Sequence, residues 1–444
     1  MAVERVKIKT ASLEEGMFVA DLDRPWHETP FPLQGFYIKS EADVKALARF
    51  CRFVFVDNQR SRVKKDYAAH ATDTGSVSAK NKGKTNSKGQ KSSLKLPPIA
   101  VKDPANYEIQ VPLHKEATRV KRLHQKVQQS IRSVCESVLR GEPAPIEEIE
   151  SVALSMVVSV VRNPDALVWL AKMDDEDSFE YQHVVRASVW ALVFARHLGL
   201  SKPLMQSLAT GVLLSHVGKM SIDASLRERV VGELSGKELE AYQKYVELGL
   251  EKLRKNPELG DGVLSIIEFH AERHNGTGFP KGITGDRIPL LAKIAGLVDS
   301  YQTLITPRGE ELGLSPKAAV TELYEQRNIL FQKDLVEKFI EAIGVFPTGT
   351  LVELSSNEVG IVSGHNSERR LLPTVIVVTD REKRLLKSGR RLNLMEWNQE
   401  HASNEAIFIR KSLPKGALGI DENSYLLSGA TSKWSIKHLV SNFS

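Results

Sequence analysis

Two periodicities divide the chain. Residues 4 to 57 alternate short apolar runs with turn chemistry: Val6 to Ile8, then Gly16 to Leu22, a Pro-rich loop around Trp26, Gln34 to Ile38, a short helical stretch Glu41 to Phe50, and the run Phe53 to Asp57. That pattern predicts a small α+β module. From 60 to 98 the apolar content collapses into Lys, Ser, Gly, Asn and Thr, which cannot bury enough surface to offset the entropy of ordering. After Pro112 apolar residues recur with a helical period over Leu113–Leu139, Ile146–Val161, Phe179–Leu198 and Pro203–Ser215, punctuated by Gly141, Pro143, Pro145, Asn163-Pro164 and Gly199. Near Gly344 the period returns to that of strands, at Thr350–Leu354, Glu358–Gly364 and Pro373–Asp380 around the turn Ser355 to Asn357.

The reading is therefore a mainly α protein. It divides into an α+β module (1–59), a basic linker (60–98), a connecting helical region (99–149), a helical domain (150–343), a small β extension (344–400) and a tail (401–444) with no assignable role. No internal repeat at periods of 20 to 50 residues is visible.

Charge changes this picture only in one place. The 444 residues carry a net +6, yet Arg60 to Leu96 alone holds ten Lys or Arg against two Asp, a surplus of eight that leaves the rest of the chain at −2. The folded parts are nearly neutral, which disfavours a domain that grips nucleic acid. Cys51 and Cys135 have no partner at metal-ligand spacing, and no window approaches the ~20 apolar residues of a membrane span. The expectation is a cytoplasmic protein with no membrane span.

The helical region holds the polar residues that could carry chemistry. His183 sits in an otherwise apolar helix, where a lone histidine is more often a satisfied core residue than a ligand. Ser215, His216 and Lys219 arrive at the end of another apolar helix, with Gly218 permitting a turn. His270 and His274 stand four apart before a glycine-rich loop, the spacing by which two imidazoles on one helix face share a metal. The zincin version of that site needs glutamate directly after the first histidine, and Ala271 stands there with Glu272 one place on. For His274 the plainer reading is a cation at a helix C-terminus. Asp299 lies at the centre of an apolar helix, and a buried acid must be paired, hydrogen-bonded or metal-bound.

The order and spacing of HVVR at 183, LLSHVGK at 213, KYVELG at 244, FHAERHNGTGFPKG at 269 and GLVDSYQTL at 296 resembles the HD-GYP domain, over roughly residues 150 to 345. Members of that family are helical, metal-dependent phosphodiesterases that hydrolyse cyclic di-GMP. Residues 275–282 look like the family's DGxGYPxG loop, and the segment around Gly16–Phe36 is similar to the small domain often fused before HD-GYP domains in bacteria.

The resemblance implies an HD-superfamily helical bundle and a set of ligand positions, which this chain keeps only in part. His183, His270, Asp299 and Lys219 match. Ser215 and His216 replace the His-Asp doublet, Tyr245 replaces a histidine, and Ala271 replaces the second of a tandem pair. A bimetallic centre needs a bridging carboxylate and several ligands per cation, so these losses predict a degenerate, inactive protein without a cofactor. The expected role is that of a regulator or adaptor in cyclic di-GMP signalling, with diguanylate cyclase (GGDEF) domains or the nucleotide as partner and a homodimer as a further option.

The alternative is an active, metal-dependent phosphodiesterase with one Mn or Fe, held by His183, His216 and Asp299 from the residual set that includes His270, and with Lys219 as the catalytic cation. In the loop, Gly276 and Gly278 are expected at positive φ and Pro280 in a turn, while Asn275 and Phe279 stand where the family has aspartate and tyrosine. Arg186, Arg273, Lys281, Arg287 and Arg308 are candidate phosphate contacts; Arg287 and Arg308 read equally well as solvated charges.

Overall fold

A computed structural model describes residues 5–23, 36–38, 40–57, 61–63, 96–97, 99–170, 179–306, 313–366, 372–401, 405–413, 417–420 and 425. Nearly all of the basic linker, and Arg308, lie outside the described residues. The amino-terminal module is an antiparallel sheet of β1 (Arg5–Lys9), β2 (Phe18–Leu22), β3 (Phe36–Tyr37) and β4 (Phe53–Asp57), in the order β1-β4-β2-β3, with α1 (Glu41–Phe50) preceding β4. Ile8 pairs with Val54 and Val6 with Val56. The alternation seen in sequence turns Val54, Val56 and Val19 inward beside Leu47 of α1, all fully buried.

The helical body starts with α2 (Leu113–Arg140), α3 (Ile146–Arg162) and α4 (Pro164–Leu170). It continues with α5 (Phe179–His197), α6 (Lys202–Leu214), a 3-10 turn (Val217–Ser221), α7 (Ala224–Arg227), α8 (Gly236–Gln243) and α9 (Tyr245–Leu253). It ends with α10 (Asp261–Phe269), α11 (Leu290–Ile305), α12 (Pro316–Glu325) and α13 (Lys333–Ile343). The helices expected from the apolar period appear within a residue or so of their predicted ends.

α5 is apolar nearly all round and lies between α6 and α11. Phe194 of α5 and Tyr301 of α11 each meet Phe339 of α13 edge-on at 5.3 Å, and Trp190 donates its Nε1–H to Gln302 Oε1 at 3.0 Å. These contacts fix the register of α5 against α11, the two helices that carry His183 and Asp299.

The carboxy-terminal sheet has the order β8-β7-β6-β5-β9, formed by β5 (Leu351–Leu354), β6 (Val359–Gly364), β7 (Thr374–Thr379), β8 (Leu385–Asn393) and β9 (Ile409–Ser412), with α14 (Leu394–Glu400) following β8. β9 lies inside the stretch 401–444 and closes one edge of the sheet by pairing Val352 with Ser412. Its residues Ile-Arg-Lys-Ser give no strand pattern, so the pairing comes from tertiary context. The sheet has its own core around Val352, Val362, Val375 and Val377.

Gly218 differs from expectation. It has no positive φ; the 3-10 turn packs so closely on α9 that a Cβ there would fall inside van der Waals contact with the carbonyl oxygen of Tyr245, and 2.5 Å from Gly249 N. Gly141, by contrast, ends α2 in the left-handed region (φ 73) with open space around it. Gly218→Ala should therefore destabilise the chain by about 2–3 kcal/mol through overpacking, and Gly141→Ala by only about 1–2 kcal/mol through backbone strain. Equilibrium denaturant unfolding of both variants checks the order; equal costs would contradict the close packing at Gly218.

Candidate functional site

Local chemistry places the polar side chains before any long-range contact does. At the end of α6, Ser215 returns its hydroxyl to the carbonyl of Val212 at 2.8 Å, which ends the helix and turns Ser215 away from its neighbours in the cluster. The 3-10 turn that follows brings His216 and Lys219 under α9. α10 stops at Phe269 with His270 as its C-cap. His274 therefore lies beyond the helix, buried beneath Gly285 with its amide bonded to the Leu330 carbonyl; the expectation of a cation facing a helix C-terminus is wrong because the helix ends five residues earlier, at Phe269.

His183, His216 and Asp299 converge. His183 Nε2–H donates to Asp299 Oδ1 at 2.8 Å, and His216 Nε2 lies 3.0 Å from the same oxygen. The two imidazoles are stacked with centroids 4.9 Å apart. The His216 approach is not aligned for a hydrogen bond, so both of its ring nitrogens are buried without one. An orphaned buried nitrogen costs about 1–3 kcal/mol, so Nδ1, which has no polar neighbour comparable to the Asp299 oxygen beside Nε2, calls for another partner. One ligand atom from each of the three residues lies within 4.8 Å of the others, a set of two imidazole nitrogens and one carboxylate oxygen that suits a first-row divalent cation. The Asp299 side chain is 20% exposed, against 4% for His183 and 5% for His216, so the cluster opens to solvent on the carboxylate side.

The electrostatics favour the ligand forms. Burial, reinforced by the Lys219 ammonium, pushes the His216 imidazole well below its ordinary value. Burial acts to raise the Asp299 carboxyl, but the adjoining imidazoles of His216 and His183 outweigh it and hold that group well below the usual carboxylate range. Burial also lowers His270 to about 4 and raises the Tyr245 phenol, with the Asp299 charge adding to the rise.

Both ring nitrogens of His270 make hydrogen bonds. Its Nδ1–H donates to the Ile267 carbonyl at 2.8 Å, which leaves Nε2 as an acceptor, and that nitrogen takes the Tyr245 hydroxyl proton at 2.9 Å. Both ring nitrogens are thereby used, with Ala271 buried alongside. Lys219 is buried with its ammonium 5.1 Å from the Tyr245 ring and 5.6 Å from the Tyr242 ring, and it makes no ion pair among the described residues.

The loop beyond is built from within. Asn275 Oδ1 accepts from the Thr277 amide and hydroxyl, Gly276 has φ 75, and the Phe279-Pro280 peptide is cis. Gly278 does not take positive φ as expected; it is required because the loop backbone packs against Glu272 and Arg273, where a Cβ would collide. Phe279 meets Tyr245 edge-on at 5.8 Å.

Arg273 is spent on structure, donating to the carbonyls of His270 and Glu272 and to Ser300 Oγ beneath the Phe331 ring. Lys281 pairs with Glu268, Arg287 is exposed, and Arg186 is half-buried on α5. Glu272, noted in sequence only as a misplaced zincin glutamate, is the loop's anchor: its buried carboxylate accepts from the amides of Lys281 (2.7 Å) and Ile283 (3.1 Å). Tyr242, one face of the Lys219 cradle, was also missed, because a tyrosine at helical spacing reads as core.

With this geometry in place, the comparisons with known proteins are informative. Residues 5–149 match the model of a domain of unknown function, DUF3391, and residues 170–334 match that of the HD domain. A cyclic di-GMP phosphodiesterase of Pseudomonas aeruginosa is 26% identical over 373 residues, covering 84% of each chain. A cyclic di-GMP phosphodiesterase of Borreliella burgdorferi is 23% identical over 246 residues, 55% of this chain and 62% of the relative. Among solved structures, an HDG"Y"P protein from Bdellovibrio bacteriovorus aligns with a TM-score of 0.44 at 16% identity, over 76% of this chain and 98% of that one.

The lowered imidazole of His270 predicts a pH dependence. The folded chain keeps this ring neutral down to about 4, whereas an unfolded chain protonates it near 6.5. The associated stability is present above pH 6.5 and is lost as pH falls toward 4, by on the order of 3 kcal/mol. Urea midpoints measured between pH 7 and pH 4 should fall less steeply for His270→Gln than for the unsubstituted chain; parallel slopes would remove His270 as the source.

Proposed function

We propose that this chain, an HD-domain protein with a DUF3391 amino-terminal region and cyclic di-GMP phosphodiesterases among its relatives, is a regulator or adaptor in cyclic di-GMP signalling that has given up two-metal hydrolysis. The observation that carries this reading is the Tyr245–His270 hydrogen bond. Nδ1 is committed to Ile267 and Nε2 to the phenol, Ser215 is turned back on its own helix and Ala271 is apolar, so none of these three positions offers a free ligand atom for a second cation. Two-metal hydrolysis works by clamping the phosphate between two cations and lowering the pKa of a bridging water, and that arrangement needs ligands on both sides.

The convergence of His183, His216 and Asp299 favours a second reading, in which one divalent cation such as Mn or Fe is bound there. When bound, it would supply Lewis acidity toward a phosphoryl oxygen. The chain's own residues would hold it by two neutral imidazoles and one carboxylate, with Lys219 as the nearby positive charge.

Elemental analysis together with cyclic di-GMP turnover in Mn(II) or Fe(II) separates the readings. The expected result is no more than one metal per chain and no turnover above a chain-free control. Two metals per chain with turnover abolished by Asp299→Ala would overturn the proposal; one metal with Asp299-dependent turnover would establish the second reading. For the adaptor role, the partly exposed loop around Phe279 is the surface to test: Phe279→Ala should weaken capture of a purified GGDEF domain about tenfold while leaving the helical circular dichroism unchanged. Unaltered capture would place the partner surface elsewhere.

A further inference from the structure

Ahead of α2, the described residues 96–97 and 99–112 run without helix or strand across the helical body as a strap. Hydrogen bonds anchor it to the body at three places. At the far end, the Gln110 amide donates to the Arg162 carbonyl at 2.9 Å, and Asn163 Nδ2 donates to the Val111 carbonyl at 2.8 Å. In the middle, the Ala105 amide donates to the Gly199 carbonyl, the Tyr107 hydroxyl to the Leu200 carbonyl, and Arg196 to the Tyr107 carbonyl. At the near end, where the linker arrives, Gln332 Nε2 donates to the Pro97 carbonyl at 2.9 Å and the Ile99 amide donates to the Asp334 carboxylate. Pro97 and Ala100 are exposed at that end, so it is held chiefly by these two bonds and by the partly buried side chain of Ile99.

The near-end anchor also belongs to the site. Gln332 Oε1 accepts from Lys293 on α11 at 3.0 Å, six residues before Asp299. Two residues back, the Leu330 carbonyl accepts the His274 amide at 2.8 Å, and the Phe331 ring lies 5.4 Å under the Arg273 guanidinium. His274 in turn accepts from the Gly285 amide, which closes the loop that begins at Asn275. A short segment, Leu330 to Gln332, thus holds the strap on one side and the glycine-rich loop and α11 on the other.

We propose that the near end of the strap is a regulatory contact. Pulling or releasing the anchors at Pro97 and Ile99 loosens Leu330 to Gln332, and that segment passes the change to the loop 275–282 beside the His-Asp cluster. The strap's other anchors keep its far part in place, so the near end can detach without unfolding the body. In sequence, the amino-terminal module is joined to the helical body through this end of the chain, besides the contact of Phe50 with Phe408. This inference does not depend on whether the site hydrolyses anything, because it concerns only where the loop sits.

Hydrogen–deuterium exchange on the full chain tests it. Gln332→Glu removes the donor to Pro97 while keeping an acceptor for Lys293, and Asp334→Ala removes the acceptor for Ile99; neither touches the loop. Both should accelerate exchange about fivefold, the effect of one lost hydrogen bond, at the amides of His274, Lys281, Ile283 and Gly285 as well as at residues 99–100. Asn163→Ala, which frees the far end, should change only residues 108–112. Faster exchange confined to 99–100 in whichever near-end variant stays folded by circular dichroism, or a loop response to Asn163→Ala as large as to the near-end variants, would overturn the proposal.

Discussion

The site depends on one carboxylate in the wrong solvent. Asp299 sits on an apolar helix with most of its surface removed from water, a position an acid cannot hold as an anion without partners. His183 and His216 supply them from α5 and from the turn after α6, so the charge is stabilised only if three segments remote in sequence come together. The aromatic packing of Phe194, Tyr301 and Phe339 and the close approach at Gly218 read naturally as the means of holding those segments in register. An apolar replacement of the acid would remove the electrostatic requirement and, with it, much of the reason for two histidines to be inside the body.

Much of this was legible in the residues. The helical period gave most of the helices, and the rule that a buried acid needs a partner led from Asp299 to its surroundings. The resemblance to the HD-GYP pattern implied that His183, His216 and Asp299 meet; only the fold says that they share one oxygen. What sequence could not give was how each nitrogen is spent. His270 looked like a retained ligand because its position matched. Its withdrawal rests on a phenol 25 residues away and on a carbonyl three residues back, both of which are geometric facts.

The errors have a common physical origin. Gly218 was read as permitting a turn and Gly278 as a left-handed position, yet both are glycine because another backbone lies against them. A single chain cannot distinguish conformational freedom from lack of room, since both leave the same letter. His274 was assigned to a helix end that stops earlier, and β9 was unreadable because an edge strand borrows its conformation from its neighbour. Glu272 carried no signal of its role, since its partners are backbone amides.

The uneven exposure of the cluster sets an order of access. The imidazoles are sealed and the carboxylate alone faces solvent, so an approaching ion meets negative charge first. A cation is drawn in by that charge, whereas a phosphate is repelled by it until the charge is neutralised. The partly exposed carboxylate therefore acts as a filter on sign, favouring a cation over an anion as the first ion to approach Asp299.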